Sequence, residues 1–301
     1  MNDVIRTEGL TKLYGQRRGL DGLDLEVREG EVFGFLGPNG AGKTTTIRLL
    51  LDLIRPTSGR AHVLGQDPRS GGTALRGRIG YLGGDFLVEG SQTAGELLAF
   101  LGNLRGGIER ARIEQLAERL DLALNVRIRS LSKGNRQKVG IVQAFMHQPE
   151  LLILDEPTAG LDPLIQQTFL ELVHEARSNG QTVFMSSHIL SEVEQSADRV
   201  GIVREGRMVA VEGFQTLRAR AVRRVVIVFD EPVPAEAFAG VPGIADLAIE
   251  DLTLRCLMTG RADALVKAAA RFGVASILAE EPDLEELFFA LYRGEGEANA
   301  A

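Results

Sequence analysis

Eight consecutive residues near the N-terminus have the types and spacing needed to hold a chain of phosphates. They are Gly37-Pro38-Asn39-Gly40-Ala41-Gly42-Lys43-Thr44, and Thr45 follows them. Glycines in such a pattern let the backbone turn tightly and aim its N–H groups at anions. The lysine is placed to reach the outer phosphates, and the hydroxyl of Thr44 suits Mg²⁺ as a ligand. The stretch therefore predicts binding of a phosphate chain together with Mg²⁺.

Two carboxylates follow an apolar segment in the middle of the chain. Leu151 to Leu154 is uniformly apolar, and Asp155 and Glu156 come directly after it. A buried strand that ends in acids delivers them to a crevice at the edge of the sheet. Asp155 then suits the Mg²⁺ shell, directly or through water, and Glu156 suits the polarisation of an attacking water. A pair of solvated acids at the start of a loop is the alternative.

A histidine stands in a comparable place after another apolar segment. Thr182 to Ser186 is followed by Ser187 and His188. A histidine there could sense or orient a terminal phosphate, although an isolated histidine more often has a structural role. His188 is therefore a candidate catalytic residue beside Glu156.

The elements that must position these residues alternate between short apolar strands and periodic helices. The predicted strands are Val32 to Leu36, Leu151 to Leu154, Thr182 to Met185 and Arg199 to Val203. The predicted helices include Thr45 to Ile54 and Pro163 to Ser178. This alternation predicts an α/β domain with a largely parallel sheet. Residues Thr93 to Asn125 contain two helical segments and no strand candidate, which predicts a helical insert.

The composition changes near residue 215, where a basic run begins. The elements predicted beyond it follow the order βαββαβ, which is typical of a small α+β, ferredoxin-like domain. They are Val225 to Phe229, Pro234 to Phe238, Asp246 to Glu250, Leu252 to Met258, Ala262 to Phe272 and Ala275 to Ala279, with a last helix at Leu284 to Tyr292. The predicted domains are therefore 1–215, with a helical subdomain at about 85–135, and 216–301.

Bulk properties restrict the class of protein. The chain has 301 residues, 44% hydrophobic residues and a net charge of −7, which does not favour a nucleic-acid binder. One cysteine, Cys256, excludes a disulfide framework within the chain and a Cys-rich zinc site. We find neither a signal peptide nor an apolar run long enough to span a membrane. The expected location is cytoplasmic, and another chain would supply any membrane span.

Two further motifs give the chain a resemblance to a known family. Leu131-Ser132-Lys133-Gly134-Asn135-Arg136-Gln137 resembles the LSGGQ signature of ABC transporter ATPases, and Ala159-Gly160-Leu161-Asp162 resembles their D-loop. His188 lies where that family has its switch histidine, and Tyr14 where it has an aromatic residue stacked on adenine. The resemblance covers about the first 215 residues and implies the P-loop ABC ATPase fold, with ATP and Mg²⁺ as cofactors.

The resemblance also implies partners and a mechanism. Two such domains pair head to tail, so that each ATP contacts the glycine-rich loop of one copy and Ser132, Lys133, Gly134 and Asn135 of the other. Asp162 belongs to the same interface. Closing and opening of this pair would drive alternating access in a membrane partner. The expected partners are a second ATPase domain, as a homodimer, and a separately encoded ABC-2 type permease that holds the chain at the inner face of the membrane.

The sequence departs from the family at two places. Lys133 and Asn135 replace a glycine and a glutamine of the signature, while Ser132 and Gly134 remain. The loop Tyr81-Leu82-Gly83-Gly84-Asp85 has Gly84 where the family usually has Gln or Glu, and we call it the coupling loop. The wording of the signature and of the C-terminal segment Glu281 to Phe288 is similar to drug-resistance and ABC-2 type exporter ATPases.

Two other functions stay open at this point. One is an ABC ATPase that acts on ribosomes or DNA without a transporter. Such proteins usually carry two cassettes, long coiled coils or zinc modules, and this sequence has one cassette and a single Cys. The other is a regulatory subunit that does not hydrolyse ATP, which the presence of Lys43, Asp155, Glu156 and His188 disfavours.

Overall fold

The computed structural model describes residues 3–84, 86, 90–214, 216 and 223–280. The chain forms two compact units, Met1–Val211 and Glu212–Ala301. The predicted domain boundary at residue 215 stays a prediction, because residues 215 and 217–222 lie outside the described ranges. None of the helices in these ranges is long and apolar enough to cross a membrane.

The first unit begins with a three-stranded antiparallel sheet in the order β2-β1-β4. Its strands are β1 (Asp3–Tyr14), β2 (Arg17–Arg28) and β4 (Ser58–Val63). Its strands were not predicted from the sequence. The β1–β2 pairing shifts register between Thr7 and Leu10, where Gly9 has φ = 54°, so the apolar alternation that marks a strand is broken.

A six-stranded sheet of order β5-β6-β7-β3-β8-β9 forms the second layer of strands. These strands are β3 (Val32–Leu36), β5 (Ile79–Leu82), β6 (Leu151–Asp155), β7 (Thr182–Ser187), β8 (Arg199–Arg204) and β9 (Arg207–Gly213). Five neighbouring strands, in the order β5-β6-β7-β3-β8, pair in parallel. The three central strands β6, β7 and β3 are buried at every residue. Burial on both faces explains their continuous apolar sequences and confirms the predicted α/β fold.

Seven helices are described in the first unit. They are α1 (Lys43–Leu50), α2 (Pro68–Gly77), α3 (Ala94–Leu104), α4 (Arg110–Arg119), α5 (Lys133–Phe145), α6 (Pro163–Ser178) and α7 (Leu190–Glu194). The helices α3 and α4 occupy the predicted helical insert and pack on α5 through buried apolar residues such as Leu98 and Leu116. Thr93 starts α3 with a capping box. Its hydroxyl accepts from the backbone N–H of Glu96 at 3.2 Å, and the carboxylate of Glu96 accepts from the backbone N–H of Thr93 at 2.7 Å.

The second unit has a four-stranded antiparallel sheet of order β11-β12-β10-β13. Its elements are β10 (Arg223–Phe229), β11 (Ile244–Glu250), β12 (Thr253–Met258), α8 (Asp263–Ala269) and β13 (Val274–Glu280). Where a first helix was predicted at Pro234 to Phe238, the structure has only a 3₁₀ turn at Ala235–Ala237. Pro232 and Pro234 precede it and Gly240 follows, so too few residues remain for an α-helix. The predicted helix at 284–292 lies outside the described residues.

Candidate active site

The glycine-rich loop joins β3 to α1 and places its lysine at the first position of the helix. Gly42 precedes the helix with φ = 112°, a conformation that glycine tolerates and other residues avoid. Gly37 packs so closely on β8 that an added Cβ would lie 2.4 Å from the carbonyl oxygen of Val203. The backbone of this loop and the N-terminus of α1 together present donors to an anion, as the sequence predicts.

Lys43 is a buried cation in the first turn of α1, with only 6% of its surface exposed. Its ammonium donates to the carbonyl oxygen of Gly37 at 2.6 Å and lies 3.1 Å from Oε1 of Glu156. A buried ammonium needs such partners because burial removes its hydration. The loop lysine and the candidate base are therefore an ion pair in this structure.

Asp155 ends β6 with both carboxylate oxygens hydrogen-bonded. Its Oδ2 accepts from the hydroxyl of Thr44 at 2.8 Å, and its Oδ1 accepts from the hydroxyl of Ser186 at 2.5 Å. Thr44 and Asp155 are thus adjacent hard oxygen donors, which is the donor type that Mg²⁺ prefers. Asp155 is 2% exposed, so these two hydrogen bonds replace the hydration that burial removes.

Glu156 follows the strand in a left-handed conformation with φ = 48°. Its Oε2 accepts from Nδ1 of His188 at 2.7 Å. Because a carboxylate only accepts, the proton of this bond lies on Nδ1 of the imidazole. Oε1, which is buried, has no hydrogen-bond donor among the described residues, although Lys43 is within ion-pair distance. The structure therefore brings Glu156, His188 and Lys43 together.

A cavity of about 410 Å³ opens beside the glycine-rich loop. Its lining includes Pro38, Asn39, Gly40, Gly42, Lys43, Thr44, Thr45, Glu156 and Tyr14 from the predicted site. Tyr14 is 47% exposed, and its ring lies against Gly19, where an added Cβ would be 2.8 Å from the ring. Gly37, Ala41, Asp155 and His188 are not among the lining residues of this cavity.

Three arginines that the sequence analysis did not single out, Arg17, Arg18 and Arg48, also line this cavity. Arg18 is paired with Asp21 at 2.8 Å. Arg17 is the cross-strand partner of Tyr14 in the β1–β2 hairpin, so the hairpin register brings a cation to the aromatic residue. For Arg17 and Arg18 the sequence signal is a basic residue three or four positions after the aromatic one.

The predicted signature and D-loop residues do not line this cavity within one chain. Ser132 caps α5, with its hydroxyl accepting from the N–H of Asn135 at 3.2 Å. Gly134 packs against the D-loop, where an added Cβ would lie 2.7 Å from the carbonyl oxygen of Gly160. Asp162 caps α6 by accepting from the N–H of Ile165 at 3.1 Å. None of Ser132, Lys133, Gly134, Asn135 and Asp162 lines the described cavity beside the glycine-rich loop.

The coupling loop approaches Asp155 at Gly84. A Cβ added there would lie 3.4 Å from the carbonyl oxygen of Asp155 and 3.5 Å from Oδ2, which is ordinary contact. Burial raises the pKa of the Tyr81 phenol, and the negative charge of Asp155 raises that pKa further. Position 84 thus faces the candidate Mg²⁺ ligand without a side chain, and Asp85 lies outside the described residues.

Comparison with known proteins places this site in a defined family. The ABC transporter family matches residues 20–159. The bacitracin transport ATP-binding protein BcrA of Bacillus licheniformis is 40% identical over 223 residues, which are 73% of each chain. The daunorubicin resistance ATP-binding protein DrrA3 of Streptomyces coeruleorubidus is 36% identical over 301 residues, covering 96% of this chain and 95% of that protein. A solved ATP-binding subunit of an ABC transporter is 30% identical, with a TM-score of 0.66 over 71% of this chain and 92% of that one.

Proposed function

We propose that this chain, which belongs to the ABC transporter family of ATP-binding proteins, is the ATPase subunit of a drug exporter. It binds and hydrolyses ATP. The finer proposal is that two copies close around two ATP molecules and act on separate membrane subunits at the inner face of the membrane. The names of the bacitracin and daunorubicin relatives support export, and the match to DrrA3 extends over both units of the chain.

The position of Glu156 supports its proposed role in hydrolysis. The carboxylate of Glu156 is held between Lys43 and His188, one residue after Asp155, beside the cavity of the glycine-rich loop. We propose that Glu156 accepts a proton from the attacking water. The water oxygen then bonds to the terminal phosphorus while the bond from that phosphorus to the bridging oxygen breaks, giving ADP and phosphate. His188 orients Glu156 through the Nδ1–H bond.

Thr44 and Asp155 are the residues that would hold Mg²⁺. Their oxygens are hydrogen-bonded to each other, and a hydroxyl with a carboxylate is a donor set that fits this ion. When bound, the ion neutralises charge on the phosphates and so favours transfer. Gly84 has no side chain to add to that set.

The ion pair between Lys43 and Glu156 links nucleotide binding to activation of the base. Phosphate oxygens compete with Glu156 for the buried ammonium, because each is an anion within reach of the same loop. Once Lys43 pairs with phosphate, Oε1 of Glu156 is released from the ammonium and is available to accept a hydrogen bond from the attacking water. Ser132 and Gly134, which do not line this cavity, would contact the nucleotide of a second copy.

The test uses Glu156→Gln in the full-length chain. Removal of the base should lower the rate of ATP hydrolysis by at least about a hundredfold, while ATP binding persists. The oligomeric state is then measured by size-exclusion chromatography with light scattering, with and without MgATP. We expect ATP to convert the variant from monomer to dimer, and Ser132→Arg in the same background to prevent this.

Glu150→Gln is the matched control, because Glu150 stands just before the other end of β6 and pairs with Arg78 at 2.6 Å. It should hydrolyse ATP like the wild type. A Glu156→Gln variant with wild-type hydrolysis would refute the assignment of the base. A variant that binds ATP and stays monomeric at all protein concentrations would refute the homodimer.

A further inference from the structure

Ser186 lies on β7 directly opposite Asp155 in the parallel pairing of β6 with β7. It is completely buried, so its hydroxyl reaches neither solvent nor a nucleotide. From the sequence alone, Ser186 is predicted only as part of an apolar strand. A buried hydroxyl in such a place requires partners, and both of its partners belong to the candidate active site.

The chemistry of the groups fixes the direction of both hydrogen bonds. The carboxylate of Asp155 only accepts, so the Ser186 hydroxyl donates its single proton to Oδ1 at 2.5 Å. The backbone N–H of Glu156 only donates, so the hydroxyl oxygen of Ser186 accepts from it at 3.1 Å. The carbonyl oxygen of Ser186 accepts from that N–H as well, at 3.2 Å. One serine therefore holds two consecutive residues.

These bonds determine where the two carboxylates point. With Oδ1 of Asp155 bound to Ser186, Oδ2 is the oxygen that meets Thr44 at 2.8 Å. Glu156 leaves the strand with φ = 48°, a conformation that non-glycine residues adopt only where neighbours hold it. The two bonds from its N–H to Ser186 hold this turn, which aims the Glu156 side chain at Lys43 and His188 instead of along the strand.

We propose that Ser186 is a positioning residue for ATP hydrolysis, which orients Asp155 toward the Mg²⁺ site and Glu156 toward the attacking water. The inference rests on the roles of Asp155 and Glu156 in the proposed function. Ser186 acts through these two residues and touches neither substrate nor ion. Partners of this kind typically change metal affinity or activity by about 10- to 100-fold when they are removed.

The experiment compares Ser186→Ala with Thr182→Val in the full-length protein. Thr182 is the matched control, because it is a buried hydroxyl at the other end of the same strand and accepts from the N–H of Gly30 at 2.9 Å, away from the site. For both variants kcat, KM for ATP, the Mg²⁺ concentration at half-maximal rate and the melting temperature are measured.

Ser186→Ala should lower kcat by about 10- to 100-fold and raise the half-saturating Mg²⁺ concentration several-fold, with a small change in KM. Thr182→Val should lower the melting temperature and leave kcat and the Mg²⁺ dependence at wild-type values. The inference is overturned if Ser186→Ala has the wild-type kcat and Mg²⁺ dependence, or if the two variants change both quantities equally.

A second pair of variants covers the case in which Ser186→Ala does not fold. Ser186→Thr and Ser186→Val add the same volume, but only threonine keeps the hydroxyl. We expect the threonine variant to be at least about tenfold faster than the valine variant, and equal rates would overturn the inference. Glu156→Gln is measured in parallel. If it keeps wild-type turnover, the proposed function fails; if it is inactive while Ser186→Ala is unimpaired, only the role of Ser186 fails.

Discussion

Gly84 lies beside Asp155, and the structure predicts what a side chain would do at this position. A Cβ at Gly84 would make contacts of 3.4 to 3.5 Å with Asp155, so Gly84→Gln has room for its first carbon. The φ angle of Gly84 is also outside the left-handed region, so glutamine can adopt the same backbone conformation. The substitution should therefore fold, and its amide should lie next to the carboxylate that we assign to Mg²⁺.

The magnitudes follow from these contacts. Replacing a glycine in a compatible conformation stabilises the fold by about 0.4 to 1 kcal/mol, because the unfolded chain loses freedom. For a domain of this size such a change raises the melting temperature by only about 2 to 4 °C per kcal/mol. One added polar contact in the ion's shell is worth about 1 kcal/mol, which corresponds to about a fivefold lower half-saturating Mg²⁺ concentration.

The assay is steady-state ATP hydrolysis at fixed ATP and varied Mg²⁺, with thermal unfolding of the same samples. Gly90→Gln is the control, since the three described atoms nearest to an added Cβ at Gly90 belong to Gln92 and lie 3.6 to 3.7 Å away. Equal Mg²⁺ dependence in the two variants would refute the placement of position 84 beside the ion. A melting temperature more than about 5 °C below that of the wild type would show that the space near Asp155 is absent.

Two further predictions concern stability. Burial and the neighbouring Arg105 lower the pKa of His147 from 6.5 to about 4, so the unfolded chain takes up this proton first and stability falls between about pH 6.5 and 4. Because the imidazole is partly exposed, we expect the free energy of unfolding in urea to fall by only about 1 to 2 kcal/mol over this pH range. His147→Gln should abolish this pH dependence, whereas His174→Gln, at an exposed position, should keep it. Thr93→Ala should cost about 1 kcal/mol by breaking the capping box, measured as faster amide exchange in α3; unchanged exchange would contradict it.

Local sequence signals predicted those parts of the fold whose cause is local. The strand Val32–Leu36 and the helix Pro163–Ser178 have the predicted limits. The strand is marked in the sequence by a continuous apolar run, and the helix by a proline directly after its capping aspartate. The sheet of β1, β2 and β4 was missed because its register is irregular: the β1–β2 pairing shifts at four places and the β1–β4 pairing at one, which interrupts the alternation of apolar residues. The short strand Ile79–Leu82 was missed because four residues with a glycine give little pattern.

The candidate site divides in the same way. The glycine-rich loop and the acidic pair stand out in the sequence, and the structure places Thr44 in contact with Asp155 and Lys43 in contact with Glu156. Their catalytic roles stay predictions. Arg17 and Arg48 were not predicted to line the cavity. The β1–β2 hairpin places Arg17 there, and the helix α1 places Arg48 there.

The two serines at the end of β7 show why the supporting residues could not be found in the sequence. Ser186 and Ser187 are adjacent and identical in type, but successive residues of a strand point to opposite faces. The register that pairs Asp155 with Ser186 gives that serine the acidic pair, whereas the hydroxyl of Ser187 bonds Glu192 at 2.7 Å. A slip of one residue would exchange these partners and turn Asp155 away from Thr44. The position of the carboxylates is thus a consequence of sheet register, which the packing of β6 and β7 between the layers determines and no local pattern encodes.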